Sequence, residues 1–512
     1  MKRGLFSQTP SKTPSQTPSE PRAAVALVAA LFFGLLLLQD GTDATEAWQS
    51  LPLSRAMAEG HLSIEKKPVG QYVRAPDGRF WLAQDYLAPL LAMPVVALAD
   101  ALPNAGLSRP RHSVGPRDVQ ASAAAASLGA LWAALTGGTI FLFATRRLGV
   151  RPRAALGAAL LTVLGTTVLP YSRTGYDGAL SGLLLLAALF AATSERDRVR
   201  AFGTGLLCGL ATLARFSSAI AALPIALLAI SHAAEGRARA RAASQLALAA
   251  LPLALVWAGL NLLRTGHPFV PASALPQFAD NNALDGPFWL GFFGNLLSPN
   301  KGLLFFAPLA LLGLVGLGKS RHRRVFVSVL AALIGLLVFH AKVRNWSGHW
   351  GWGPRYLVPV IPLCALGIAC LFESQSQRWR RALVAVAIPS IALNLLAVAA
   401  NWTLRLSVSP SVRSARFPFD PRLNQPLDHL GALLSLRDGC PELSYLGKGC
   451  VLDVWWLTWP TARADVGIWV MPLAVGLALV SALSMIIAWR ATRQTRSEEL
   501  TATLPQTAPP GA

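Results

Sequence analysis

Apolar segments long enough to cross a membrane recur along almost the whole chain, and this feature limits the fold more than any other. A helix needs roughly 20 apolar residues to span the hydrocarbon core of a bilayer. Inside lipid every backbone amide must find its partner within the chain, so recurring apolar segments predict helices. Of the 512 residues 53% are hydrophobic and only 14% are charged. The sequence therefore predicts an all-α polytopic membrane protein.

Hydropathy predicts about twelve crossings. The segments are 23–38, 121–145, 154–170, 178–192, 201–214, 216–232, 243–262, 301–317, 325–340, 355–372, 382–400 and 467–489. Residues 86–102 are also apolar, but Pro89 and Pro94 interrupt them. A crossing there would invert the side of every later connector, so we expect this segment to lie at the membrane interface.

Basic residues mark one side of the predicted bundle. They cluster in short connectors near residues 146–153, 196–200, 237–241, 319–324, 378–381 and 490–496. Lysine and arginine accumulate in cytoplasmic loops, so topology accounts for the formal charge of +21, and we expect no nucleic-acid partner. Residues 1–22, rich in Ser, Thr and Pro, are a predicted disordered cytoplasmic tail, and residues 490–512 are a second tail. The long loops 39–120, 264–300, 341–354 and 401–466 then lie outside.

Two of the five cysteines, Cys440 and Cys450, share the external loop 401–466. An oxidising compartment favours a disulfide between them. Their spacing lacks a second pair of zinc ligands. We expect a structural disulfide rather than a metal site.

Three carboxylates follow the first predicted span directly. Asp40, Asp43 and Glu46 are spaced by three, so on a helix they would share one face. Acids are also favoured near helix N-termini for electrostatic reasons alone. A working site at the outer membrane surface is the other explanation, and it agrees with the placement of all long loops on that side.

Further motifs lie on the same predicted face. They read DATEAW at 43–48, SRAMAEG at 54–60, DGRFW at 77–81 followed by YLAP at 86–89, YSRTGYDG at 171–178, SPNKGLLFF at 298–306 and WGWGPRYLVP at 350–359. In this order they resemble the GT-C superfamily of lipid-dependent glycosyltransferases, which includes protein O-mannosyltransferases and lipid A aminoarabinose transferases. The resemblance covers most of residues 40–359. It implies that residues 23–400 form a GT-C-like transmembrane catalytic region with large external loops.

The resemblance also implies roles for the acids. In the superfamily an acid soon after the first span is the catalytic base, and an acid of the second outer loop supports the site. The candidates here are Asp43, with Glu46 and Asp40 as rivals, and Asp177. The usual adjacent acidic pair is absent, so the choice among the first three stays open.

A polyprenyl-phosphate-linked sugar is the implied donor. The acceptor hydroxyl needs a carboxylate to take its proton, and the departing phosphate needs fixed cations or a metal. Arg355, Lys301 and Arg173 lie at external ends of predicted spans and are the candidate phosphate-binding residues. Snorkelling of long basic side chains to the interface is the alternative explanation.

Aromatic residues of the last motif, WGWGPRYLVP at 350–359, are predicted to line the substrate cavity. They are Trp350, Trp352 and Tyr356, with His349 beside them. For the tryptophans an interfacial aromatic belt is the alternative. Some relatives bind metal through a first-loop acid and a later histidine, so a divalent metal is the candidate cofactor, although the sequence leaves the cofactor undecided.

We therefore expect an inverting glycosyltransferase of a bacterial inner membrane, active on the outer face. It would move a sugar from a polyprenyl phosphate to a glycan, lipid or protein acceptor, with membrane lipids around it. A transporter or flippase is a second class, but it predicts ionisable residues along a path inside the membrane, and mid-span charges are nearly absent. A glycan polymerase or ligase is a third class that composition does not separate from the first.

Overall fold

The structure is a computed structural model, and it describes residues 19–39, 45–68, 71–102, 116–175, 177–233, 235–278, 282–348, 351–399, 419–420, 424–434, 454–457 and 464–503. Several predicted residues lie outside these ranges: Asp40, Asp43, His349, Trp350, Cys440 and Cys450. The disulfide between the two cysteines therefore stays a prediction.

Helices make up 76% of the described chain. They are α1 (Ser19–Leu37), α2 (Thr45–Ala58), α3 (Leu87–Ala101), α4 (Pro116–Arg146), α5 (Pro152–Leu164), α6 (Val168–Tyr171), α7 (Asp177–Ala192), α8 (Thr204–Ala214), α9 (Ser218–Ser231), α10 (Arg237–Thr265), α11 (Phe288–Leu297), α12 (Leu303–Phe306), α13 (Pro308–Lys319), α14 (Arg323–Lys342), α15 (Ile361–Ala365), α16 (Ile368–Glu373), α17 (Gln377–Ala399), α18 (Gln425–Leu434) and α19 (Ala464–Thr503). A π-helix (Val199–Gly203) and three 3-10 helices (Ala272–Ala274, Pro276–Phe278 and Arg355–Val360) complete the helical elements. Strands β1 (Tyr72–Arg74) and β2 (Phe80–Leu82) form one antiparallel hairpin.

Within the described residues, seven helices are long and apolar enough to cross a membrane. They lie at Ser19–Leu37, Gln120–Arg146, Arg237–Thr265, Arg323–Lys342, Arg355–Glu373, Gln377–Ala399 and Ile468–Gln494. Seven shorter apolar helices accompany them, among them Leu87–Ala101. The prediction of an all-α polytopic membrane protein is confirmed, while the number of crossings and the interfacial position of residues 86–102 stay predictions.

Small residues let the central helices approach closely. A Cβ atom added to Gly137 of α4 would lie 2.4 Å from Leu31 of α1, and one added to Gly367 would lie 1.9 Å from the carbonyl oxygen of Gly313. Membrane helices associate largely by van der Waals packing, which favours such small residues at their contacts. At Gly367 the added atom would meet backbone, so a side chain there would force the helices apart, whereas at Gly137 the end of the Leu31 side chain would have to move.

The two ends of the bundle differ in their connections. At one end, Arg146 of α4 lies 3.5 Å from Glu20 of α1, and Arg151 pairs with Glu373 at 2.9 Å. The connectors here are short and basic, and we refer to this end as the connector end. The opposite end, where α1 ends and α7 begins, carries residues 45–68, 71–102, 266–278, 282–302, 343–348 and 351–358, and we refer to it as the loop end.

A small layer at the loop end is built on the hairpin. Gly78 turns the chain with a φ of 81°, and the Asp77 carboxylate accepts a hydrogen bond from the backbone N–H of Arg79 at 2.9 Å. The side chains of Leu53, Val73 and Leu82 are buried together beneath it. This apolar cluster attaches α2 to the hairpin and to the chain that enters α3.

The first and last long helices pack against each other. Ser481 Oγ of α19 donates to the carbonyl of Ala30 at 2.8 Å. Where α1 ends, the indole N–H groups of Trp455 and Trp456 donate to the carbonyls of Leu36 and Leu37, each at 2.8 Å. These bonds satisfy carbonyls that a helix end leaves without intrahelical partners.

Two predicted domain limits differ from the helix ends. Helix α1 begins at Ser19, inside the segment 1–22 that the sequence assigns to a tail. Helix α19 runs from Ala464 to Thr503, past the limits of the predicted last span, 467–489. The additional residues at its C-terminal end are polar, so hydropathy alone ends the span before the helix ends.

Candidate active site

An ion pair at the loop end joins one predicted site residue to a residue that the sequence left unassigned. Asp177 is the first residue of α7, and its Oδ1 accepts a hydrogen bond from Arg215 Nη1 at 2.8 Å. Arg215 lies between α8 and α9, and its Nε donates to Ser217 Oγ at 3.2 Å. The two side chains are only 26% and 11% exposed. Because the pair is largely screened from water, its interaction is stronger than that of a surface salt bridge.

A second carboxylate reaches the same region from the hairpin layer. Asp85 Oδ2 accepts a hydrogen bond from the backbone N–H of Phe216, next to Arg215, at 2.9 Å. The pKa of Asp85 is raised to about 6, mainly by burial and to a smaller extent by the negative charge of Asp177, against the lowering effects of the Phe216 hydrogen bond, Arg264 and Arg215. Two acids from distant segments therefore lie within electrostatic range of each other.

Arg264 fixes the segment that carries Asp85. At the C-terminal end of α10, Arg264 Nη1 donates to the carbonyls of Leu82 and Gln84 at 3.2 and 3.0 Å. Its guanidinium carbon lies 5.1 Å from the ring centroid of Tyr86. Since residues on both sides of Asp85 are held by one cation, the position of this carboxylate is set by tertiary contacts.

Two arginines share the ring of Tyr356. The guanidinium carbons of Arg215 and Arg355 lie 5.6 and 5.7 Å from its centroid. His340 of α14 stacks on the same ring, with centroids 4.5 Å apart and planes 4° apart. His340 is 4% exposed, and its ring nitrogens have no hydrogen-bond partner among the described residues. Tyr356 thus connects the Asp177–Arg215 pair with Arg355.

Lys301 is fully buried and holds a turn rather than facing solvent. Its Nζ donates to the carbonyl of Gly351, and its backbone N–H donates to Ser298 Oγ at 3.0 Å. Burial lowers the pKa of Lys301 well below its usual value, and the positive charge of Arg355 lowers it further. The structure therefore places this predicted phosphate-binding residue behind the loop that leads to Arg355.

Two other predicted residues are used in packing. Arg173 is buried, and its Nη1 donates to the carbonyl of Val398. Trp352 is fully buried against Phe306, with ring centroids 5.3 Å apart, and its carbonyl accepts a hydrogen bond from the Tyr171 hydroxyl at 3.1 Å. These contacts give both side chains a structural role in this state of the protein.

The chain enters and leaves the first loop at fixed points. Gln39 Nε2 donates to the carbonyl of Ser172 at 3.0 Å, five residues before Asp177. On the far side, α2 begins at Thr45 and includes Glu46, whose side chain is outside the described part. Arg55 of α2 makes two 2.8 Å hydrogen bonds to Asp100.

The residues that sequence reasoning missed are Arg215, Asp85 and His340. Arg215 is the single charge between two apolar segments, 201–214 and 216–232, and this isolation was the available signal. Asp85 lies between DGRFW and YLAP without extending either motif. No group of three or more metal-ligating side chains occurs among the described residues, so metal binding stays a prediction.

No family model and no curated protein matches this chain. The chain is similar to the crystal structure of ArnT from Cupriavidus metallidurans bound to undecaprenyl phosphate, with 15% identity, a TM-score of 0.44, and coverage of 96% of this chain and 80% of that one. It is also similar to the archaeal oligosaccharyltransferase AglB from Archaeoglobus fulgidus in complex with an inhibitory peptide and a dolichol-phosphate. There the identity is 14%, the TM-score 0.47, and the coverage 83% of this chain and 59% of that one. Both are GT-C proteins.

Proposed function

We propose that the chain is an inverting glycosyltransferase that transfers a sugar from a polyprenyl phosphate to a hydroxyl-bearing glycan, lipid or protein. One observation carries this proposal: Arg215 pairs with Asp177 and shares the Tyr356 ring with Arg355. Cations and carboxylates are thereby gathered at one end of an apolar bundle, which is the combination that a lipid-linked phosphate sugar requires.

The arginines of the site suit the leaving group. When the bond between the sugar and the phosphate breaks, negative charge accumulates on the phosphate, and fixed donors in a dry site stabilise it best. An arginine presents two parallel N–H groups to phosphate oxygens. We assign this role to Arg355, with Arg215 as its neighbour, and we assign Lys301 to the support of the Gly351 turn.

The carboxylates at the loop end suit the nucleophile. An acceptor hydroxyl attacks the anomeric carbon as its proton passes to a carboxylate, and the carbon–oxygen bond to phosphate breaks on the opposite side, which inverts the configuration. We propose Asp43 as this base, with Glu46 and Asp40 as the other candidates. Gln39, which directly precedes Asp40 in the chain, is bonded to the loop that leads to Asp177. Asp177 then orients Arg215 rather than accepting the proton.

We also propose that the loop end faces the outside of a bacterial inner membrane. The short basic connectors at the opposite end favour a cytoplasmic position for that end. A divalent metal is a further proposal from the family resemblance, for which Asp85 and Asp177 are the described carboxylates. The arginines supply positive charge at the leaving group in either case.

The purified full chain tests this function directly. It is incubated in detergent with a set of fluorescent polyprenyl phosphate sugars, and the release of polyprenyl phosphate is followed with and without added acceptor extracts. We expect one donor to be consumed by the native chain and not by Asp43→Asn. A complete set of donors left intact under conditions in which the chain stays folded would contradict the proposal.

A further inference from the structure

Helix α18, within the predicted external loop 401–466, turns its apolar face away from the protein. Leu427, Leu430 and Leu434 are 63%, 44% and 74% exposed, and their spacing places them on one face of a helix. The buried positions are polar, because Gln425 and His429 are 3% and 2% exposed. This polarity is the reverse of that in a surface helix of a soluble domain.

Polar contacts hold α18 on the turns behind the candidate site. Gln425 Nε2 donates to the carbonyl of Gly351 at 3.5 Å, and this same carbonyl accepts from Lys301 Nζ. The ring of His429 lies 4.9 Å from that of Trp352. Just before the helix, Asn424 Nδ2 donates to the carbonyl of Pro299 at 3.1 Å. The polar face is therefore committed to the protein.

Helix α18 packs against a candidate membrane span that also exposes apolar side chains. His429 Nδ1 lies 3.4 Å from the carbonyl oxygen of Leu396 in α17. Along α17, Val384, Ile388 and Leu395 are 58%, 67% and 42% exposed. Helix α18 thus packs beside the loop end of a helix that already presents apolar side chains to its surroundings.

Helix α11 also exposes aromatic residues. It ends directly before the turn that binds Asn424, and its Trp289 and Phe293 are 67% and 46% exposed. Tryptophan and other aromatic rings concentrate where the hydrocarbon of a bilayer meets its headgroups. Exposed rings near the turn that binds α18 therefore favour a membrane surface in this region.

We propose that α18 is an interfacial helix whose Leu427, Leu430 and Leu434 insert into the outer leaflet of the bilayer. Burying apolar side chains of this size in hydrocarbon is favourable, so three leucines together anchor the helix. Lipid is the occupant because α18 packs beside a candidate membrane span whose own exposed side chains are apolar. As the polar face of α18 binds the Gly351 turn, the membrane would hold this turn at the bilayer surface.

Quenching of a fluorescent probe tests the insertion. The full chain, with its five native cysteines replaced by alanine, receives a single cysteine at one of four positions: L430C or L427C on the apolar face, D428C on the flank, or I388C on α17 as the lipid-exposed reference. Each variant is labelled with an environment-sensitive fluorophore and reconstituted in vesicles of phosphatidylcholine and phosphatidylglycerol. Quenching by lipid-borne nitroxide is compared with quenching by aqueous iodide.

We expect the probes of L430C and L427C to be blue-shifted and quenched by the lipid-borne nitroxide as strongly as that of I388C, while iodide quenches D428C. Iodide quenching of the leucine positions equal to that of D428C would overturn the proposal, because the face would lie in water. Shielding from both quenchers would overturn it as well, since protein would then cover the face. The measurement needs no enzymatic activity, so its outcome is independent of the proposed function.

Discussion

Asp177 Oδ1 lies 2.8 Å from Arg215 Nη1, and the same guanidinium lies over the ring of Tyr356. Arg215 therefore connects the carboxylate at the start of α7 with the Tyr356–Arg355 pair. Under the proposed function this connection gives the acid of the second loop a task, because Asp177 would fix the direction of the Arg215 guanidinium near the leaving group. The acids of the first loop then remain as the candidates for proton removal.

The Asp177–Arg215 pair predicts non-additive effects of substitution. A hydrogen bond between charged, poorly hydrated groups contributes about 1.5–3 kcal/mol, so Asp177→Asn and Arg215→Gln should each lower the rate of transfer roughly tenfold or more. Since either change removes the same interaction between two charges, the double variant should lose far less than the product of the two single losses. Rates measured on all four proteins at saturating donor provide the cycle. Simple multiplication of the two losses would contradict coupling through this pair.

Substitution of a first-loop acid is predicted to lower the rate of transfer far more than substitution of other acids at the loop end. Asp43→Asn should abolish transfer without loss of expression or folding, because the acceptor hydroxyl would have no base. Glu46→Gln and Asp40→Asn are the rival tests, and Glu59→Gln, an exposed acid after α2, is the matched control. Single-turnover rates on folded protein give the comparison. Full activity in all three first-loop variants would mean that the base lies elsewhere.

Hydropathy was sufficient to predict the helical class, because a segment's suitability for lipid depends only on how apolar its own residues are. The predicted segments 23–38 and 325–340 lie within α1 and α14 apart from a residue or two at their ends. The structure brings Asp177, Arg355 and Tyr356 together around Arg215, and all three belong to motifs at the same ends of predicted spans, while their roles stay predictions. The sequence could not show which of these residues share a contact.

Tertiary contacts account for what the sequence did not reveal. Arg215 finds Asp177 across 38 positions, and Asp85 meets Phe216 across 131, so no local pattern encodes either bond. Burial is equally non-local. Lys301 and Trp352 looked like residues of an interface, yet packing of the turns at 298–302 and 351–354 encloses both.

Arg355 is predicted to contribute mainly to donor binding. Arg355→Ala removes a bidentate phosphate contact and should raise the Kd for the polyprenyl phosphate donor roughly tenfold, at about 1.4 kcal/mol per tenfold change. The control is Arg344→Ala, which removes an exposed arginine paired with Asp285 on the same end of the bundle. Titration of donor analogues with both variants is the measurement. If donor affinity is unchanged in Arg355→Ala, its guanidinium serves only the membrane interface.

His340 is predicted to position Tyr356 through ring stacking. Phenylalanine at this site preserves a flat ring against Tyr356, whereas alanine leaves a cavity beside it. His340→Phe should therefore retain most of the transfer activity, and His340→Ala should lose it together with donor affinity, because Tyr356 carries both arginines on its ring. The Kd for donor and the turnover rate are measured on both variants. Inactivity of His340→Phe with normal folding would instead assign a polar role to the imidazole.

Asp85 makes the stability of the protein depend on pH in a defined direction. Its pKa is about 6 in the folded chain because of burial, against an ordinary value of 3.8. The folded state therefore holds this proton more tightly than the unfolded state does. The resulting stabilisation is complete below pH 3.8 and is lost as the pH rises through 6. At neutral pH the loss amounts to about 2–3 kcal/mol at most.

Asp85→Asn carries no titrating proton, so its thermal midpoint in detergent should exceed that of the native chain at pH 7.5 and approach or fall below it at pH 4.5. Parallel pH profiles for the two proteins would show that Asp85 is not held in the buried position described above.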